Sequence, residues 1–189
     1  MQDIEPYSRW QNIYNTYTDP HSPYYGESHN EFLCRNAIYN HYIHPLWDEF
    51  GSSTLYLKII YTDYDFGYCI IELMGEWNDC LHNDIMHLKR NIVEHLENKG
   101  INKFILIGEN VLNFHYSDDS YYEDWFNDLD DGWIMLVNFR EHVQAEFDKL
   151  NLNYYLLYGG QLSEVKWRTL TPQKLYEALN SYANRALNP

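Results

Sequence analysis

The chain has 189 residues and a formal charge of −15, from 13 basic and 28 acidic side chains. A nucleic-acid or anionic-membrane partner requires clustered Lys and Arg to replace phosphate counterions, and here the few bases are scattered, which argues against both. Apolar residues make up 45%, enough for a real core, and the length suits one domain with an appendage.

The 19 tyrosines bring large rings with a polar tip, which suit half-buried surfaces and interfaces. Cys34, Cys69 and Cys80 are too few and too odd in number for a disulfide framework. The first residues, Met1 to Pro6, carry no basic flank and no apolar run, and no stretch approaches the roughly 20 apolar residues of a spanning helix. The expected location is the cytoplasm.

Residues 1–50 are expected to form a helical, aromatic extension to an α/β domain over 51–189. Ser8 and Gln11 make a capping-box pattern, followed by Trp10, Ile13, Tyr14 and Tyr17 at helical spacing. Pro20, Pro23 and Gly26 mark a loop. Ser28 and Glu31 make a second capping box, and Phe32, Asn36, Tyr39 and Ile43 predict a helix that Pro45 stops.

From residue 54 the pattern changes. Leu55 to Tyr61 and Tyr68 to Met74 read as two strands joined by the turn Asp63-Tyr64-Asp65-Phe66-Gly67, an antiparallel hairpin. Ile85, Leu88, Ile92, Val93 and Leu96 form a helix stripe closed by Gly100. Strands are predicted at Phe104–Ile107, Trp133–Val137 and Tyr154–Tyr158, the last ended by Gly159-Gly160. Helices are predicted around Tyr121–Phe126 and Val143–Leu150, and a last one opens with Thr171 as cap and Pro172 at its first position. Strands separated by helical crossovers run parallel, so the expected fold is α/β. It has a mixed sheet of about five strands: a leading antiparallel hairpin, then parallel strands.

This succession, from about Thr54 to Ala186, resembles the STAS domains, whose best-known members are anti-sigma-factor antagonists. The resemblance implies a regulatory, protein-interaction module, often switched by phosphorylation of a serine that opens the helix after the third strand. The comparable stretch here runs from Val111 to Ser120 and contains Ser117 and Ser120. The family's Asp-Ser-x-Gly run is absent, and Asp118, Asp119, Glu123 and Asp124 would repel a phosphate placed among them.

Open α/β sheets bind ligands beyond the carboxyl ends of their strands. That rule selects Gly75-Glu76-Trp77-Asn78-Asp79, Gly108-Glu109-Asn110, Asn138-Phe139-Arg140 and Gly159-Gly160-Gln161. In the first, Trp77 offers a stacking face and Glu76 and Asp79 offer acceptors; the competing reading is a strand-to-helix connection capped by Asn78 or Asp79. Glu76 and Glu109 would form an acid–base pair if they converge. In that case Trp77 and either His115 or Arg140 would line their pocket. Asp79, Cys80, His82, Asp84 and His87 are metal-ligand types, but their spacing does not assemble a site. The seven acids from Asp118 to Asp131, interleaved with Tyr121, Tyr122, Trp125 and Phe126, suit either a basic protein surface or a solvated helix face. No nucleophile elbow, phosphate loop or dinucleotide fingerprint occurs. The candidate binding residues are therefore Glu76, Trp77, Asp79, Glu109, His115, Ser117, Asp118 and Asp119, with no metal and no cofactor. The expected function is a non-enzymatic interaction module with a protein partner or a second copy of the chain. The alternative is a small hydrolase or lyase.

Overall fold

The computed structural model describes residues 4–30 and 33–187. A small hairpin pairs β1 (Ala37–Ile38) with β2 (His41–Tyr42). The main sheet contains β3 (Leu55–Asp63), β4 (Tyr68–Asn78), β5 (Lys103–His115), β6 (Trp133–Val137) and β7 (Leu156–Leu157), in that spatial order. β3 is antiparallel to β4, and every later pairing is parallel. The α/β expectation holds, including the shared direction of the three inner strands.

The crossovers follow the sequence. After β4 come α1 (Asp79–His82), α2 (Asp84–Leu88), one wide turn at Lys89–Val93 and α3 (Glu94–Glu97). Then α4 (Ser120–Asp128) links β5 to β6, and α5 (Glu141–Lys149) links β6 to β7. Their apolar stripes share one core with Leu57, Ile71, Phe104, Leu106 and Leu136. The opposite sheet face, with Ile70, Ile105, Ile107 and Met135, is covered by α6 (Pro172–Leu187) together with Trp10 and Trp167. Both sheet faces are therefore dry, which is why the inner strands read as continuous apolar runs. Thr171 Oγ1 accepts the Lys174 amide at 3.3 Å, as the expected cap of α6.

Three expectations need correction. First, the described residues before Leu55 contain no helix. Residues 8–14 form tight turns, and Trp10 leaves helical spacing to meet Tyr7 and Trp167 edge-on at 5.1 and 5.8 Å. The second predicted helix is instead the β1–β2 hairpin. Its two-residue loop, Tyr39-Asn40, has φ of 50° and 64°, the left-handed pair that lets two strands reverse directly. Ile38, Ile43 and Trp47 then plug against Tyr56 and Met74 of the sheet, a burial no local helix provides. Glu31 of the second capping box and Phe32 of the helix flank expected after it lie outside the described residues. Second, β4 and β5 run past their predicted ends, so Gly75–Asn78 and Gly108–Asn110 are strand and not loop. Third, the last strand shrinks to Leu156–Leu157, because residues 152–154 coil into a single tight turn.

Phe104 is fully buried and packs edge-on against Trp125 at 5.2 Å, joining β5 to α4. Phe104→Ala should cost about 3–5 kcal/mol and lower the melting temperature by about 10 °C. Thermal and urea denaturation of the two proteins would show it; a shift below about 2 °C would mean that this contact is not part of the core.

Candidate functional site

The extended ends of β4 and β5 build the site. Their parallel ladder continues through Glu76↔Asn113 and Asn78↔His115, with register shifts between Glu72 and Met74 and between Gly75 and Glu76. Such bulges turn side chains away from strict alternation. Gly75 sits there with φ 118°, and an added Cβ would lie 2.1 Å from the Thr54 carbonyl oxygen, so only glycine lets the strand pass.

Between this rim and the hairpin lies a groove of about 500 Å³. Ile4, Ile38, Ile43, Met74 and Leu112 supply its apolar wall. Tyr39, Tyr42, His41 and Asn110 also line it, and both tyrosines are more than half exposed. Its size and lining fall in the range of small-molecule and side-chain pockets. On the other side of Ile43, a more polar cleft of about 460 Å³ is lined by Glu27, His29, Arg35, His44 and Glu49.

Glu76 stands beside the groove, next to Gly75 and bonded by Tyr39. Its Oε1 accepts from the Tyr39 hydroxyl and from Asn113 Nδ2 at 3.0 Å, and lies 3.6 Å from His115 Nε2. Burial alone would raise its pKa, but these three contacts hold the carboxyl below its ordinary value. Among the described residues, Oε2 of Glu76 accepts no hydrogen bond.

Glu109 belongs to a different cluster. It accepts from Asn138 Nδ2 and Trp167 Nε1, both at 2.8 Å, and from Arg168. Burial raises its pKa, and the bonds from Asn138, Arg168 and Trp167 outweigh that and lower it. Glu76 and Glu109 thus share no partner, although their strands are neighbours. The carboxylate that does share a partner with Glu109 is Glu72, which sequence reading passed over. Its Oε2 accepts the Tyr7 amide at 2.8 Å, and Arg168 Nη2 lies 3.5 Å from its Oε1. Opposite it on β3 is Lys58, buried beside Asp48 at 3.3 Å and bonded to the Tyr17 hydroxyl and the Leu46 carbonyl. One signal could have found these residues: a single charge inside an otherwise apolar strand, Lys58 in Leu55–Tyr61 and Glu72 in Tyr68–Met74.

The other candidates serve the scaffold. Trp77 is 1% exposed and faces Phe114, Tyr122 and Phe139, so it offers no stacking face to a ligand. Asp79 is buried and accepts from Trp77 Nε1 (2.9 Å), the Tyr122 hydroxyl (2.6 Å) and the Ile85 amide (2.8 Å). Burial nevertheless pushes its carboxyl up to about 6. Asn78 caps α1 through the Leu81 amide at 2.9 Å. Asp118 holds the Ser120 amide and hydroxyl at the start of α4, Asp119 accepts from Tyr155, and Ser117 is exposed. Among the described residues, no group of three or more His, Cys, Asp or Glu is placed to hold a metal ion, and no helix is long and apolar enough to cross a membrane.

Glu72 gives a pH prediction. Burial pushes its carboxyl from 4.5 up to about 7, against the Tyr7 amide and Arg168, with nearby Glu109 pushing the same way as burial. The unfolded chain therefore releases this proton first. Below about pH 4.5 the group is neutral in both states and costs nothing; above about pH 7 it is charged in both, and its burial cost is complete. Stability should fall by about 3 kcal/mol across that window on account of Glu72 alone. Glu72→Gln, which keeps an acceptor for Tyr7, should lack that part of the decline. Urea denaturation from pH 4 to pH 8 checks it, and parallel curves for the two proteins would reject it.

No protein-family model matches the sequence, and no curated protein matches it, so a functional reading rests on this geometry.

Proposed function

We propose that this chain is a non-enzymatic, cytoplasmic interaction module, in line with the regulatory role that the STAS-like succession implies. Its binding surface is the groove between the β1–β2 hairpin and the ends of β4 and β5, and its occupant is a large apolar side chain of a protein partner. The observation that carries this reading is the groove itself: about 500 Å³, open to solvent, walled by aliphatic side chains and edged by exposed Tyr39 and Tyr42. Such a cavity takes an apolar anchor residue, and tyrosines at its rim suit a protein interface. Its wall includes the carboxyl-terminal parts of the parallel neighbours β4 and β5.

The hydrolase or lyase alternative needs two carboxylates facing one substrate. Glu76 and Glu109 hold separate sets of partners, and the Glu72–Glu109 pair is already filled by Arg168, Tyr7 and Trp167. Neither arrangement leaves an acid and a base free on a common cavity, which favours the binding reading.

The test uses 2-phenylethanol as a neutral apolar probe in a ¹H–¹⁵N NMR titration. Amide shifts should concentrate at Tyr39, Gly75, Asn110 and Leu112, with a dissociation constant on the order of 1 mM. Leu112→Trp, which fills the groove from a half-buried position, should weaken binding at least about tenfold while leaving the melting temperature within about 3 °C. Shifts scattered elsewhere, or undiminished in the variant, would reject the groove. A dimer in sedimentation that Leu112→Trp dissociates would make the occupant a second copy instead of a partner.

A further inference from the structure

We propose that the groove selects a basic partner segment: the apolar anchor is flanked by a lysine or arginine whose cationic head meets the open carboxylate oxygen of Glu76. This rests on the reading of the groove as the binding surface and adds the chemistry of what binds there.

The polar contacts on Glu76 are one-sided. Tyr39, Asn113 and His115 all approach Oε1, and Oε2 accepts no hydrogen bond among the described residues. The side chain is only 12% exposed, so this oxygen sits in a half-dry rim where a charge-assisted bond is stronger than in water. Its three partners hold the carboxyl below its ordinary pKa, so the group is charged at neutral pH. The nearby His115 side chain is half exposed, lies 3.6 Å away and faces the other oxygen.

The surroundings favour a cation. Tyr39, which bonds Glu76, and Tyr42 present exposed rings at the groove, and aromatic faces attract ammonium and guanidinium groups. Among the described residues, the other titratable groups near this rim include His41, which lines the groove, and Glu5, exposed next to Ile4 and 3.7 Å from His44. Among the described residues, no lysine or arginine lines the groove. The net charge of −15 draws basic segments toward the whole molecule, and Glu76 places one acceptor beside the apolar pocket.

Three peptides test this on the whole chain by the same NMR titration near neutral pH: acetyl-Phe-Lys-amide, acetyl-Phe-Gln-amide and acetyl-Phe-Glu-amide. The lysine peptide should bind roughly 3- to 10-fold more tightly than the glutamine peptide, and the glutamate peptide more weakly than either. Glu76→Gln should abolish the lysine preference, bringing the lysine and glutamine peptides to within about twofold of each other. In the wild-type protein, rising ionic strength should erase the same preference, a readout that does not depend on the variant folding. Equal binding of the three peptides, or a lysine preference that survives both Glu76→Gln and salt, overturns the charge selection while the groove stands. Absence of groove shifts with every peptide overturns the groove itself, and this inference with it.

Discussion

The architecture turns on two charges buried in the middle of the sheet. Lys58 and Glu72 are register partners across the β3–β4 hairpin, and both are almost fully buried. An unpaired charge at such a position costs several kcal/mol, so each must be answered from outside the sheet. Lys58 is answered by Asp48, Tyr17 and the Leu46 carbonyl, and Glu72 by the Tyr7 amide and Arg168. These partners come from opposite ends of the chain, the N-terminal segment and the turn before α6. These contacts tie two otherwise irregular segments to the sheet, a placing role that a buried ionic group fills without adding net stability.

That placement creates the groove. The segment that delivers Tyr7 to Glu72 also carries Ile4, whose carbonyl accepts from Trp47 Nε1 at 2.7 Å and whose side chain forms part of the groove wall. The hairpin supplies the facing wall, with Ile38, Ile43 and Trp47 pinned on Tyr56 and Met74. The floor is the bulged end of β4, where Gly75 brings the strand close against Thr54. The mixed sheet therefore carries a groove walled in part by pieces that have little regular structure of their own, the usual division between scaffold and surface loops.

The acids divide by environment. Asp79 and Glu72 are buried with their hydrogen-bonding capacity used for capping and stapling, whereas Glu76 keeps one oxygen open at the edge of a cavity. The same residue type, a few positions apart on one strand, is fully engaged inside the sheet in one place and half-buried at a cavity edge in another. Depth in the fold makes the difference.

The number and relative direction of the sheet strands were legible in the sequence, because apolar runs of four to eight residues alternating with helical stripes have few ways to be buried. The β3–β4 hairpin, the limits of β6 and the cap of α6 follow from such local chemistry: Asp63 and Gly67 in a turn, five apolar residues in a row, Thr171 before Pro172. The N-terminal segment was not legible. Its aromatic spacing suits a helix, but Trp10 and Trp47 gain more by burial against Trp167 and the sheet than a short isolated helix returns. Glu76 was found at its strand end by residue type and position, while its open oxygen, its separation from Glu109 and the partnership of Glu109 with Glu72 depend on bulges and on segments distant in the chain. Sequence determines which residues prefer to be dry and with what period; which polar group meets which is decided only when the whole chain has closed around the sheet.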